Sequence, residues 1–265
     1  MSTAQREAGR ATRLIDIVFP GDTNHHGTLF GGIGLAQMDK VAFITASRHA
    51  HVDFVTGSCE RIDFKAPANL GEIIELAGRV TQVGRRSLRT EVELVAEAPL
   101  TGERRLCARG AFNMVAVGER VGPAYRLPPL ADEAEDTAGT IRMVEMVFPG
   151  QTSHYGSLYG GDALTAMARA AFVAATRHCR EHVVMKLAQR ADFRHQVVEG
   201  EVIELIPAVV STGRSAMTVT VAMWAENLQT GERRDCGAGE FVMVAVDENG
   251  QSKPIGARAV AGGTD

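Results

Sequence analysis

Apolar residues change their spacing along the first half of the chain in a way that predicts its elements. Residues 13–18 alternate between apolar and polar, which predicts a strand because strand side chains point to two faces in turn. A Gly-rich loop follows over residues 20–32. Residues 33–49 predict a helix that is apolar around nearly its whole circumference, which is typical of a buried helix. Four strand-like segments come next, at 54–65, 72–83, 87–97 and 104–117.

Turn signals separate these strands. Thr101-Gly102 predicts a hairpin between the last two strands, and Gly84-Arg85-Arg86 marks another turn. One buried helix followed by a run of antiparallel strands indicates a curved sheet wrapped around the helix. The predicted fold class is therefore α+β.

The same pattern occurs twice. Residues 18–117 return without a gap at 147–246, and ten of the fifteen residues at 18–32 are identical to those at 147–161. A repeat of this length is a folded domain used twice, because solenoid modules are typically about 20–50 residues long. The predicted organisation is a first domain at 10–117, a linker at 118–139 and a second domain at 140–250.

The linker contains three prolines and an acidic run, so its proline-rich part is predicted to be extended. The tail after Val246 is rich in glycine and is predicted to be loose.

Composition and charge exclude several classes of partner. The chain is 45% hydrophobic and 23% charged, with a net charge of -4, which argues against a general nucleic-acid binder. We expect no signal peptide in the polar first ten residues, and no run approaches the ~18 apolar residues of a membrane span. The four cysteines lack CxxC spacing and are predicted to be free thiols in a reducing cytoplasm.

Asp39 is the strongest candidate for a catalytic residue. It lies in the predicted helix, and Leu35 and Phe43 share its face. A partly desolvated carboxylate there suits a general base for a hydrolytic water, or a nucleophile on a carbonyl carbon. The alternative is a structural carboxylate that pairs with an arginine or a backbone amide at the edge of the helix.

The glycine pairs Gly31-Gly32 and Gly160-Gly161 open the two predicted helices. Free N–H groups at a helix N-terminus stabilise an oxyanion or bind an anionic group, and glycine lets a substrate carbonyl approach the backbone closely. Tight packing of loop against helix explains the glycines equally well.

Two further sets of residues are candidates for binding. Asn24 precedes the first glycine pair, where its amide can hold a water or a carbonyl oxygen, although Asn in such a loop is usually turn chemistry. Arginine suits phosphate recognition because its fork donates two parallel hydrogen bonds, although a solvated hairpin tip is at least as common. The candidates at the matched strand turns are Arg85, Arg86, Ser87, Arg214 and Ser215.

Other chemistries lack their motifs. His178 and His182 flank Glu181, but this is not an HExxH arrangement, so no metal site is predicted. The sequence has no G-x-S-x-G nucleophile elbow, no G-x-G-x-x-G and no phosphate-binding loop.

The loop at 20–32, Met38-Asp39 on the helix and Arg48-His49 at its end resemble the hotdog-fold acyl-CoA thioesterases. More closely, the chain is similar to the cytosolic acyl-CoA hydrolase type, with two hotdog domains in tandem. The resemblance implies a site at the junction of two domains, with an Asn from one and an acid from the other. It implies acyl-CoA as the partner and no cofactor, since coenzyme A belongs to the substrate. It also implies a trimer of tandem units, which is a hexamer of hotdog domains.

The two copies differ where this resemblance places the chemistry. The second copy has Ser153 in place of Asn24 and Ala168 in place of Asp39. We therefore expect one working site, in which Asp39 faces the Ser153-His154 loop across the junction. The Ala168 site is expected to be inert, although it can still bind a ligand.

The leading hypothesis is hydrolysis of acyl-CoA to a carboxylic acid and free coenzyme A. A non-catalytic acyl-CoA binding or sensing protein is the alternative that the incomplete sites favour. A hotdog hydratase or dehydratase is a third possibility, but it needs a His paired with a carboxylate, and no such pair stands out.

Overall fold

A computed structural model describes residues 11–130 and 140–256, and each half of the chain contains one long helix and a set of antiparallel strands. The first half comprises β1 (Thr12–Ile17), α1 (Gly31–Ala50), β2 (Asp53–Cys59), β3 (Asp63–Phe64), β4 (Ile73–Val83), β5 (Ser87–Glu97) and β6 (Arg104–Val117). The second half comprises β7 (Met143–Met146), α2 (Gly160–Cys179), β8 (His182–Phe193), β9 (Val202–Thr212), β10 (Ala216–Glu226) and β11 (Arg233–Val246).

The predicted elements are confirmed, with one strand divided. The segment predicted at 54–65 forms two strands, because its pairing with β6 is interrupted between Glu60, whose N–H donates to the Ala111 carbonyl, and Asp63. There the Ile62 side chain packs over Gly110, where a Cβ atom would lie only 2.5 Å from Ile62. The corresponding strand of the second copy, β8, stays continuous over twelve residues.

Each half forms one curved antiparallel sheet around its helix, which confirms the predicted hotdog arrangement. The strand order is β1-β4-β5-β6-β2 in the first sheet, with β3 also on β6, and β7-β9-β10-β11-β8 in the second. In both sheets the strand that precedes the helix and the strand that follows it lie at opposite edges. The edge formed by β1 or β7 is therefore far from the edge formed by β2 or β8 of the same sheet.

The two halves meet along β1 and β7, and their hydrophobic cores interlock there. Ile15, Ile17 and Ile73 belong to the core of the second half, whereas Val144 and Val202 belong to the core of the first. Apolar side chains buried on both sides of the contact join the halves into one body.

Buried ion pairs tie the end of each helix to the other half. The Arg48 guanidinium contacts the Glu226 carboxylate at 2.6 Å, and both side chains are almost fully buried. In the matched position, Arg177 and Arg180 both bind Glu97, each at 2.7 Å. Burial alone would raise the pKa of Glu97, but the two arginines outweigh it and hold that pKa below its ordinary value.

The helix prediction needs a correction, because α1 is not buried all round. With about 100° between successive residues, α1 presents three faces. Met38 and Val41 are fully buried against the sheet, and Lys40 lies toward the second half. The third face begins with Gly32, Leu35 and Ala36, which are all exposed.

The linker and the tail are more ordered than expected where the structure describes them. Val121 and Leu127 are buried in the first core, and the His49 Nε2 atom lies 3.1 Å from the Pro128 carbonyl oxygen. After β11 the chain folds back, so that the Ile255 N–H donates to the Arg214 carbonyl. The acidic part of the linker at 131–139 lies outside the described residues, as does the tail from 257.

We predict that Arg48→Ala lowers the free energy of unfolding by about 3–5 kcal/mol, because it leaves the buried Glu226 carboxylate unpaired. Chemical denaturation measures the change. Arg61→Ala, which removes the exposed pair with Asp63, should leave stability nearly unchanged. The double variant Arg48→Met with Glu226→Leu should recover most of the stability that Arg48→Ala loses, because it leaves no unpaired charge. If the double variant were as unstable as Arg48→Ala, the loss could not be assigned to the unpaired Glu226 carboxylate.

Candidate active site

Asp39 lies on the third face of α1 and is half-buried. The Thr56 hydroxyl donates a hydrogen bond of 2.6 Å to its Oδ1 atom. Thr56 belongs to β2, at the edge of the sheet opposite to the junction strand β1. The carboxylate is therefore held in place from one side and left accessible toward the start of the helix, since Leu35 and Ala36 are exposed whereas Ala42 and Ala46 are buried.

The face of α1 that meets the second half carries different residues. Gln37 and Lys40 line a small cavity of about 40 Å³ at the junction, together with Ala166 and Arg169 at the matched positions of α2. The Lys40 ammonium lies 5.2 Å from the centre of the Phe148 ring. Asp39 is about 100° around the helix from Lys40. Within one chain, α1 thus meets the second copy through Gln37, Lys40 and Arg48, whereas Asp39 contacts Thr56.

Asn24 is engaged in its own loop. Its Oδ1 atom accepts a hydrogen bond of 2.9 Å from the His26 N–H, and its Nδ2 atom donates one of 3.0 Å to the Thr28 hydroxyl. Ser153 takes the same place in the second loop, where its Oγ atom accepts from the Tyr155 N–H at 3.3 Å. In both copies this position therefore shapes the loop, as the turn-chemistry alternative predicts.

Histidines accompany both loops at their exposed tips. The His25 ring contacts the His26 ring, and the His154 ring contacts the Tyr155 ring, each pair tilted and with ring centres 3.9 Å apart. All four side chains are exposed. The loop tips are thus open to a large ligand or to another protein unit.

The first turn of each helix is left uncapped. The residues before the glycine pairs are Phe30 and Tyr159, which have no side-chain acceptor for the helix N–H groups. In the described part of the chain, no hydrogen bond occupies the N–H groups of Gly31 and Gly32. Unsatisfied N–H groups at an accessible helix start are available to a carbonyl oxygen or an anion.

The glycine pairs also have a packing role. A Cβ atom on Gly32 would lie 2.7 Å from the Phe30 ring, and one on Gly161 would lie 2.7 Å from the Tyr159 ring. The second glycine thus lets an aromatic ring lie against the helix start. Both explanations of the glycine pairs apply to the same residues.

The arginine-containing turn lies near the Asp39–Thr56 pair. Thr56, Met114 and Leu88 face one another across three neighbouring strands, so Leu88 is about 10 Å from Thr56. The turn 84–87 directly precedes Leu88. Arg85 donates to the Pro123 carbonyl of the linker, whereas Arg86 is exposed. In the second copy, Arg214 is exposed and Ser215 is half-buried.

Comparing the two copies also reveals Thr56, which was not a candidate from the sequence. Its matched residue in the second copy is Met185, just as Ala168 matches Asp39. Both members of the hydrogen-bonded pair are thus replaced by apolar residues together. The joint replacement of Asp39 and Thr56 in the second copy is the feature of the sequence that could have identified Thr56. A single threonine in a predicted strand does not by itself indicate a functional residue.

The buried cysteines are poor nucleophiles. Burial raises the pKa of the Cys107, Cys179 and Cys236 thiols above the ordinary value, so these thiols stay protonated at neutral pH. Residues 11–130 and 140–256 contain no cluster of three potential metal ligands. No helix in these ranges is long and apolar enough to cross a membrane.

Comparisons with known proteins agree with this geometry. The thioesterase superfamily model matches residues 26–103 and again 155–232. The crystal structure of an acyl-CoA hydrolase from Agrobacterium tumefaciens is 50% identical, covers 92% of this chain and 97% of its own, and superposes with a TM-score of 0.83.

Two curated relatives are also similar. The human cytosolic acyl coenzyme A thioester hydrolase is 20% identical over 286 residues, which is 90% of this chain and 75% of that protein. The uncharacterised acyl-CoA thioester hydrolase YkhA of Bacillus subtilis is 37% identical over 119 residues, which is 45% of this chain and 69% of that protein.

Proposed function

The chain belongs to the thioesterase superfamily, and we propose that it hydrolyses acyl-CoA to a carboxylic acid and free coenzyme A with Asp39 as its general base. The observation that supports this mechanism is the accessible Asp39 carboxylate held by Thr56 at 2.6 Å. Asp39 takes a proton from water as the water attacks the thioester carbonyl. The carbon–sulfur bond then breaks, and the proton passes to the leaving thiolate.

The oxyanion needs donors that the helix of Asp39 does not supply. Gly31 begins α1 eight residues before Asp39, which is about 12 Å along the axis. The water and the oxyanion donors must both lie about 3 Å from the same carbonyl group. A different hotdog unit therefore has to present its helix start to Asp39.

We propose that this unit belongs to another chain, because Asp39 lies about 100° around α1 from Lys40, which meets the second half of its own chain. In a trimer of tandem units, the first copy of one chain meets the second copy of the next. Asp39 then faces the Ser153-His154 loop with Gly160 and Gly161. The other type of site combines Asn24 with Ala168 and lacks the acid.

The edges of the two sheets support this assembly. Among the described residues, no strand pairs with the outer sides of β2, β3 and β8, and these strands carry half-exposed apolar residues. Val55 on β2 matches Val184 on β8, and Phe64 on β3 matches Phe193 on β8. Met185 and Leu187 on β8 replace the polar Thr56 and Ser58 of the first copy. A long apolar strand edge is a template for pairing with another chain.

We also propose a cytoplasmic location, which the free thiols and the similarity to the human cytosolic acyl coenzyme A thioester hydrolase support.

We predict that Asp39→Ala lowers kcat by about 10²–10⁴, because a general base contributes that much to a hydrolytic rate. Release of free thiol from acyl-CoA is the measurement. Glu232→Ala, which removes an exposed carboxylate in a distant hairpin, is the matched control. Normal turnover in Asp39→Ala would exclude the mechanism.

Thr56 positions the carboxylate without touching the substrate in this mechanism. Thr56→Val should therefore lower kcat about tenfold with KM nearly unchanged, and Thr56→Ser, which keeps the donor, should restore kcat. A loss that Thr56→Ser does not rescue would assign Thr56 to packing.

Arg86 is proposed to bind a phosphate group of coenzyme A, because it is exposed at the turn that precedes Leu88, about 10 Å from Thr56. Arg86→Ala should raise KM for acyl-CoA about tenfold, as expected for one lost charge-assisted hydrogen bond. The same variant should leave KM unchanged for an acyl-pantetheine, which has no phosphate. An equal effect on both substrates would contradict this role. Arg214, at the matched turn, is proposed to act likewise at the second type of site.

The assembly is tested by its mass. Light scattering on the purified protein should give three times the mass of one chain. Leu187→Glu on β8 should dissociate the trimer and abolish hydrolysis, because it places a charge in the apolar interface. Val210→Glu, at a residue of similar exposure on β9, should do neither. An active Leu187→Glu monomer would show that one chain forms the site alone.

A further inference from the structure

Each helix start opens beside a cavity, and the two cavities differ in size. The first has a volume of about 350 Å³ and adjoins Gly31, and the second has about 180 Å³ and adjoins Gly160. Matched residues line both, including Leu29 and Leu158, and Phe64 and Phe193. The difference in volume therefore comes from the positions where the copies diverge.

The second copy carries a larger side chain at several of these positions. His195 replaces Ala66 at the mouth, and Val197 replaces Ala68. The His195 ring is fixed by its Nδ1 atom, which lies 2.7 Å from the Asp235 carbonyl oxygen. Ala163 lines the second cavity where the first copy has Gly34. Each of these replacements takes space from the second cavity.

The charge at the two mouths differs as well. Lys65 lines the first cavity, and its ammonium forms no ion pair with the residues that the structure describes. The matched Arg194 is neutralised by Asp235, with distances of 2.6 and 2.7 Å between guanidinium and carboxylate. An unpaired cation at an apolar cavity favours a ligand with an apolar chain and an anionic group.

We propose that the first cavity is an acyl-CoA binding site for longer acyl chains, and that the second admits only short ones. This rests on the proposed function, which places the thioester at the helix starts. The acyl chain enters the cavity lined by Leu29, Phe64 and Leu94, and Lys65 binds the anionic coenzyme A moiety. In the proposed trimer this helix start faces Ala168, so the longer acyl-CoA is held there without hydrolysis.

The test measures binding in full-length Asp39→Ala, which does not consume the ligand. Calorimetry with octanoyl-CoA should give one tight site per chain, and acetyl-CoA should bind at two sites per chain. Adding Ala66→His should weaken octanoyl-CoA binding at least about tenfold, because the imidazole displaces CH₂ groups of the acyl chain from the apolar cavity. It should change acetyl-CoA binding less than about twofold.

Two further variants keep the test decisive. Gly34→Ala narrows the same cavity with a Cβ atom at ordinary contact distances of 3.6–3.9 Å, so it should fold and reproduce the Ala66→His effect. His195→Ala, in the matched position, should create a second octanoyl-CoA site. Equal weakening of both ligands in Ala66→His and Gly34→Ala, or two octanoyl-CoA sites before any cavity change, would overturn the proposal.

The outcome is separable from the proposed function. If the unmodified protein releases no thiol from any acyl-CoA, hydrolysis is excluded while the difference between the cavities is still measurable. If it hydrolyses acyl-CoA and the cavity variants leave chain-length preference in binding unchanged, only the present inference fails.

Discussion

The single long α-helix of each half has three different environments around its circumference, and the rest of the architecture depends on how its residues are divided among them. The sheet covers one face, where Met38 and Val41 are fully buried. The other half of the chain meets a second face through Gln37, Lys40 and Arg48. The third face carries Asp39 and is exposed between the helix start and that residue, at Gly32, Leu35 and Ala36. Because a helix is narrow, a residue that serves one face is unavailable to the other two.

The junction between the halves depends on buried ion pairs, which cost desolvation energy when they form and leave an unpaired charge when one partner is removed. Buried carboxylates such as Glu226 and Glu97 lose hydration on folding, and their arginine partners offset that loss. Removing one partner leaves a buried charge, so the junction tolerates little change. The two copies nevertheless differ here, since Arg180 binds Glu97 whereas the matched His51 bonds the Leu228 carbonyl at 3.0 Å. The halves are therefore related in shape but are not interchangeable.

The duplication separates residues that maintain the fold from residues that carry chemistry. Both copies keep the uncapped helix start, the glycine pair and the aromatic ring packed against it. They differ at the hydrogen-bonded pair Asp39–Thr56, which becomes Ala168 and Met185. They differ again in the cavities beside the helix starts. One copy thus carries both the acid and the wider cavity, although a single helix holds them about 12 Å apart.

The sequence by itself determined the duplication, the curved sheet around a helix, and Asp39 and the glycine pairs as candidates, because periodicity and turn chemistry are local properties. It also placed most elements within two residues of their observed ends. Only the tertiary structure decided which face of α1 meets the other half, and that Thr56 holds Asp39 at the outer edge of the sheet. These facts depend on contacts between residues far apart in the chain, such as Arg48 with Glu226. Helical spacing shows which side chains share a face, but packing against other elements decides which face stays open.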